Sequence, residues 1–180
     1  MDLLRSTLNV IALCGAVFVI YSAQAQTLGQ KRSAAGNDEA DQASSDGAMY
    51  LASSDLELVQ DGNYDIVGMR FTGLAIPNGA TITNAYIQFT CDETDSVATT
   101  LTIHGEDIDD APVFTTTANN ISSRATTTAS VAWSPAAWSS VGAAGTDQRT
   151  PNIASVIKEI VDRPGWVSGN SMVLIVTGAG

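Results

Sequence analysis

Residues 67–90 read VGMRFTGLAIPNGATITNAYIQFT, and this stretch decides the fold class. From Ile66 to Thr72 apolar and polar residues alternate, which sets Val67, Met69 and Phe71 on one face. A period of two is that of a half-buried β-strand. Ile76-Pro77-Asn78-Gly79-Ala80 then turns the chain. Proline presets φ there, and Asn-Gly permits positive φ. Alternation resumes from Ile82 to Thr90, with Ala85, Ile87 and Phe89 on one side and Tyr86 and Gln88 on the other.

The same pattern extends outward. Met49-Tyr50-Leu51 and residues 56–60 are short strand candidates, and Asp61-Gly62-Asn63 supplies a turn. Residues 99–106 place Leu101 and Ile103 inward, while Val131 and Trp133 predict a short strand before Pro135. Residues 119–130, NNISSRATTTAS, read as loop or exposed edge, and Asn120-Ile121-Ser122 matches a glycosylation sequon. One helix is predicted over 151–163, with Thr150 as N-cap and Pro151 in the first position. Ile153, Val156, Ile157, Ile160 and Val161 share one face of it, and Pro164-Gly165 ends it. Residues 172–177 form an apolar strand without alternation, as a strand buried on both faces would. Short strands, regular turns and one covering helix indicate a mainly β protein, an antiparallel β-sandwich over 48–180.

The N-terminus reads as an export signal. Arg5 precedes an apolar run from Leu8 to Tyr21, and Ala23 and Ala25 make an A-x-A site, which predicts cleavage after Ala25. The run is short of the ~20 apolar residues that span a bilayer, so no membrane attachment is expected after cleavage. Residues 26–47 are polar and small, and predict a disordered lead-in. Cys91 is then the single thiol, so a secreted or periplasmic chain would hold itself together through its core, with no internal disulfide. Nineteen acidic against eight basic side chains give a formal charge of -11. Phosphate backbones need a basic face, so nucleic acid is excluded as a partner.

Residues 67–90 carry the pattern R-F-x-G-x-x-I-P-x-G-A-x-I-x-x-A-x-I-x-F, and the chain adds Trp133-Ser134-Pro135-Ala136-Ala137-Trp138 and a helix followed by Gly165-Trp166. Together these resemble the DNRLRE-type jelly rolls, which look like carbohydrate-binding modules of secreted bacterial proteins. The resemblance covers about 48–180 and implies a non-catalytic β-sandwich beside enzymes or adhesive repeats. Such domains continue past the strand at 172–177 with a closing strand, whereas this sequence stops at Gly180. That predicts either a fragment or a sheet that lacks its last strand, with an open edge for self-association.

Candidate chemistry lies in two acidic clusters, Asp92, Glu93 and Asp95 after one strand and Glu106, Asp107, Asp109 and Asp110 after the next. Calcium takes several loop oxygens, so these seven are the candidate Ca2+ ligands, although their spacing is not that of an EF-hand. A solvated acidic rim is the plainer alternative. Carboxylates ~5–10 Å apart would also serve a glycosidase. His104 is the sole His, with no Gly-x-Ser-x-Gly motif beside it, and reads as a surface residue. Trp133 and Trp166 read as core. Trp138, in a Ser/Ala/Gly loop, and Tyr86 are the candidate sugar-facing aromatics, and Arg149 the candidate anion contact at the helix N-terminus. The leading expectation is therefore an exported, non-catalytic module that binds a glycan or a cell-surface protein, or spaces a larger protein. A subunit assembling by strand exchange and a small secreted hydrolase using the acidic residues are the alternatives.

Overall fold

The computed structural model describes residues 17–22, 29–32, 36–51, 56–61 and 63–179. The expected signal n-region and the expected cleavage site after Ala25 lie outside them. The strands are β1 (Val17–Ser22), β2 (Gly29–Arg32), β3 (Glu39–Ala43), β4 (Met49–Tyr50), β5 (Gln60–Asp61), β6 (Asn63–Phe71), β7 (Ile82–Gln88), β8 (Thr100–Gly105), β9 (Val131–Trp133) and β10 (Met172–Ala179), with helix α1 (Ala154–Val161) between the last two. One sheet runs β4-β3-β6-β10-β8-β9, with β5 folded back on β6, and the other runs β2-β1-β7. Every pairing is antiparallel. The protein is an antiparallel β-sandwich with one short helix.

The main core lies between the large sheet and the layer made by β7 and α1. Val67, Met69 and Phe71 of β6 meet Ala85 and Ile87 of β7, Leu101 and Ile103 of β8, and Val156, Ile157, Ile160 and Val161 of α1. The alternation seen in the sequence is therefore the inner face of the sandwich. Gly105 continues that face, and a Cβ there would stand 2.5 Å from Ile160 Cδ1, so the missing side chain lets α1 close on β8.

β10 sits between β6 and β8, at the middle of the large sheet. Met172, Leu174 and Val176 face the main core, and Val173 and Ile175 face a second cluster with Ala40, Ala111, Phe114 and Ile121. Both faces are covered, which is why this strand does not alternate. The second cover is the loop after β8. The tip of the Phe114 ring meets β6 at Gly68, where a Cβ would stand 2.5 Å from its Cζ.

Two expectations need correction. The polar segment 26–47 is not a plain lead-in, because it holds β2 and β3, and β3 pairs with β6. Asp41 and Gln42 are buried there despite their polarity. The Gln42 amide oxygen accepts the N–H groups of Ile121 and Ser122, both at 2.9 Å, and its nitrogen donates to Ser122 Oγ at 2.8 Å. Hydrogen bonding offsets the burial that composition argued against. The helix is also shorter than 151–163. Thr150 and Ile153 donate their N–H groups to Ile87 and Ala85 of β7, so 150–153 run along a strand and the helix starts at Ala154. Residues 17–22, read as part of the signal, stand in the structure as a strand on β7.

Candidate functional site

The site is built where the loop after β7 meets the loop after β9. Asp95 and Trp138 exchange two backbone hydrogen bonds, at 2.9 and 3.0 Å. The Asp95 carboxylate turns back to accept the N–H groups of Ser96 and Val97, an Asx-type turn that shapes this loop. The Trp138 indole N–H donates to the Asp147 carbonyl at 3.1 Å, and its ring lies 6.2 Å from that of Phe89. The Asp147 bond and the Phe89 contact hold the indole, and Trp138 as a whole stays half-buried. A small open groove with a cavity volume of ≈ 80 Å³ runs past it, lined by Leu58, Glu93, Asp95, Val97 and Pro135. Beside Leu58 the buried Val59 holds φ at +96°, a costly conformation for a β-branched residue and of the kind that gathers at binding sites.

The remaining predicted site residues are dispersed. Tyr86 and Arg149 do not line this groove. The Arg149 guanidinium covers the Tyr86 ring at 4.3 Å and donates to Gln88 Oε1 at 2.8 Å. Arg149 is also not at a helix N-terminus, because it sits in a β-bridge with Gln88 and the helix begins five residues later. Trp133 and Trp166 are core residues, as expected. Cys91 is buried, and its Sγ donates to the Glu93 carbonyl. His104 is half-buried beside the Thr127 carbonyl.

The second acidic cluster is consumed by cations and backbone. Glu106 is paired with Arg124 at 2.7 Å, and both side chains are almost fully buried. Burial pushes the Glu106 carboxyl above its ordinary pKa, against the pull of Arg124 and Arg70. Arg163 pairs with Asp107 and, at 2.7 Å, with Asp109. Asp110 accepts the Ser171 N–H at 2.7 Å. Asp92 is exposed. Among the described residues no three His, Cys, Asp or Glu side chains gather as a metal-binding group. The seven carboxylates named as candidate Ca2+ ligands therefore do not gather into one group. Neighbours in sequence, they leave their strands in different directions and find different partners.

Sequence reasoning passed over Arg124 and Arg163. Arg124 bonds to the carbonyls of Pro112, Val113 and Asn120 as well as to Glu106, and stacks 4.5 Å over Phe114. A signal existed, since eight cations among nineteen carboxylates are the natural partners of clustered acids. Arg70 is ion-paired to Asp38 at 2.6 Å. In comparisons with known proteins the chain matches no family model, no curated protein and no solved structure. The likeness to DNRLRE-type jelly rolls rests on the residues quoted for it.

Proposed function

We propose that this chain is exported, loses residues 1–25, and works as a non-catalytic β-sandwich module that binds a glycan in the Trp138 groove. One observation carries the reading: an indole held by Asp147 and Phe89, on a half-buried residue anchored to Asp95 through the backbone, at the wall of an open groove. A rigid aromatic face suits the apolar face of a sugar ring, at little entropic cost on binding. Glu93 and Asp95 lie on the same groove as acceptors for sugar hydroxyls. Their charge favours neutral or cationic sugars over anionic ones. The carboxylates that a hydrolase would use at 106–109 are instead tied to Arg124 and Arg163.

Binding is tested on a panel of neutral, amino and acidic oligosaccharides, read by tryptophan fluorescence and calorimetry. Trp133 and Trp166 are buried, so a ligand-induced change reports Trp138. Trp138→Ala is expected to weaken binding by about tenfold or more, about 1.4 kcal/mol. A panel with no binder, or an affinity untouched by Trp138→Ala, overturns the reading. Mass measurement of the exported chain tests the cleavage, with Gln26 expected as the first residue.

A further inference from the structure

We propose that the edge of β7 that pairs with β1 is a strand-acceptor slot, filled by residues 17–22 in the uncleaved chain and, once export removes them, by an extended apolar strand of a partner polypeptide. The inference rests on the export reading for the emptying of the slot, and is independent of the Trp138 groove.

The two edges of β7 are used differently. The N–H groups of Ala85, Ile87 and Phe89 are taken by Asn152 Oδ1, Thr150 Oγ1 and the Gln148 carbonyl. Along a strand successive backbone groups point to opposite edges, so Asn84, Tyr86 and Gln88 present theirs to the other side. That side is where β1 lies, with Val17 opposite Gln88, Val19 opposite Tyr86 and Tyr21 opposite Asn84. Among the described residues β2 pairs with β1 and not with β7. Cleavage after Ala25 would therefore remove the strand that lies along this edge.

The cost of leaving it bare is specific. Ala85 and Ile87 of β7 are fully buried members of the main core, so the layer they belong to cannot be withdrawn from the fold. An edge with unpaired N–H and C=O groups beside that core is a template for strand addition. The structure also states what the slot takes. Val17–Ser22 is VFVIYS, uncharged and rich in β-branched and aromatic residues, paired antiparallel with a register shift at Tyr21/Ser22. These are the residue types that favour strands. A partner strand is identified by that chemistry.

The test uses the full chain with a protease site inserted within 23–28. After cutting, a labelled synthetic peptide of residues 15–22 with a lysine tail is offered to the cut protein. One peptide per chain is expected, with Tm raised by about 3–10 °C. Val19 stands opposite Tyr86, so a peptide with Val19→Pro lacks the donor to that residue and is expected to bind at least about tenfold more weakly. A folded cut chain that ignores the peptide overturns the proposal. So does a cut chain that dimerises and thereby excludes it, which would make a second copy the occupant. If cutting unfolds the protein, refolding from urea is the readout. Recovery of strand signal only with the peptide supports the slot, and no recovery overturns it. Cleavage itself is read separately from the mass of the exported chain.

Discussion

At the scale of single residues, the charges inside this protein act through burial. Glu106 and Arg124 are almost fully buried, and a buried pair that loses one member leaves the other uncompensated. Arg124→Ala is expected to cost about 3–5 kcal/mol in urea denaturation, since it also frees the Pro112, Val113 and Asn120 carbonyls. The two shifted glutamates give opposite pH slopes. Burial raises the Glu106 pKa, so its contribution to stability is complete below the ordinary value of 4.5 and is lost as pH rises through the native value. For Glu159, burial also raises, but hydrogen bonds from Ala129 and Thr128 and the nearby His104 outweigh it and hold the carboxyl below its ordinary value. Its contribution is present above 4.5 and is lost as pH falls through the native value. Melting curves across pH 3–8 for Glu106→Gln and Glu159→Gln check both signs. The first should remove a decline on the alkaline side of 4.5, and the second a decline on the acid side. Either slope surviving its own variant contradicts the assignment.

At the scale of elements, two glycines allow the layers to touch. Gly105→Val would place a branched side chain against Ile160 and Val156, and an expected loss of about 1–3 kcal/mol follows from overpacking. The loop after β8 acts as the outer cover of the sheet. Phe114 is fully buried against Val173 and Ile175 of β10, and Phe114→Ala should cost about 3–5 kcal/mol by the cavity it opens. Amide exchange should then speed up along β3 and β6, the strands beneath it, more than along α1. Uniform acceleration would show that the loop is not a separate cover. This element was hard to read beforehand. Its NNISSRATTTAS portion has the composition of an exposed loop, and the contacts of Ile121, Ser122, Arg124 and Thr127 make it structural. The helix was legible by its apolar face, but its start was not. Thr150 and Pro151 are good capping residues, yet β7 takes the Thr150 N–H and the Ile153 N–H, and a strand edge outcompeted the cap.

At the scale of the whole molecule, a chain with a formal charge of -11 spends much of its small cationic complement on internal pairs. No metal is needed to gather the acids so paired, and EDTA is expected to leave Tm unchanged within about 1 °C, whereas a site binding Ca2+ in the native state would lower it on chelation. Differential scanning calorimetry with and without EDTA reads this directly. Of the candidate site, Trp138 was legible because it stands in a small-residue loop, where a core tryptophan would be out of place. Its companions were not, since Leu58, Glu93 and Asp95 come from two distant segments that only the sheet brings together. The sequence by itself determined the antiparallel β class, the inner faces of β6, β7 and β8, the apolar face of α1, and the burial of Trp133 and Trp166. Those follow from periodicity and residue size, which act locally along the chain. Tertiary structure decided the rest: the strand at 39–43, the partner of each carboxylate, the loop that covers the outer face of β10, and the groove. Each depends on hydrogen bonds and contacts between residues far apart in sequence, which local pattern does not encode.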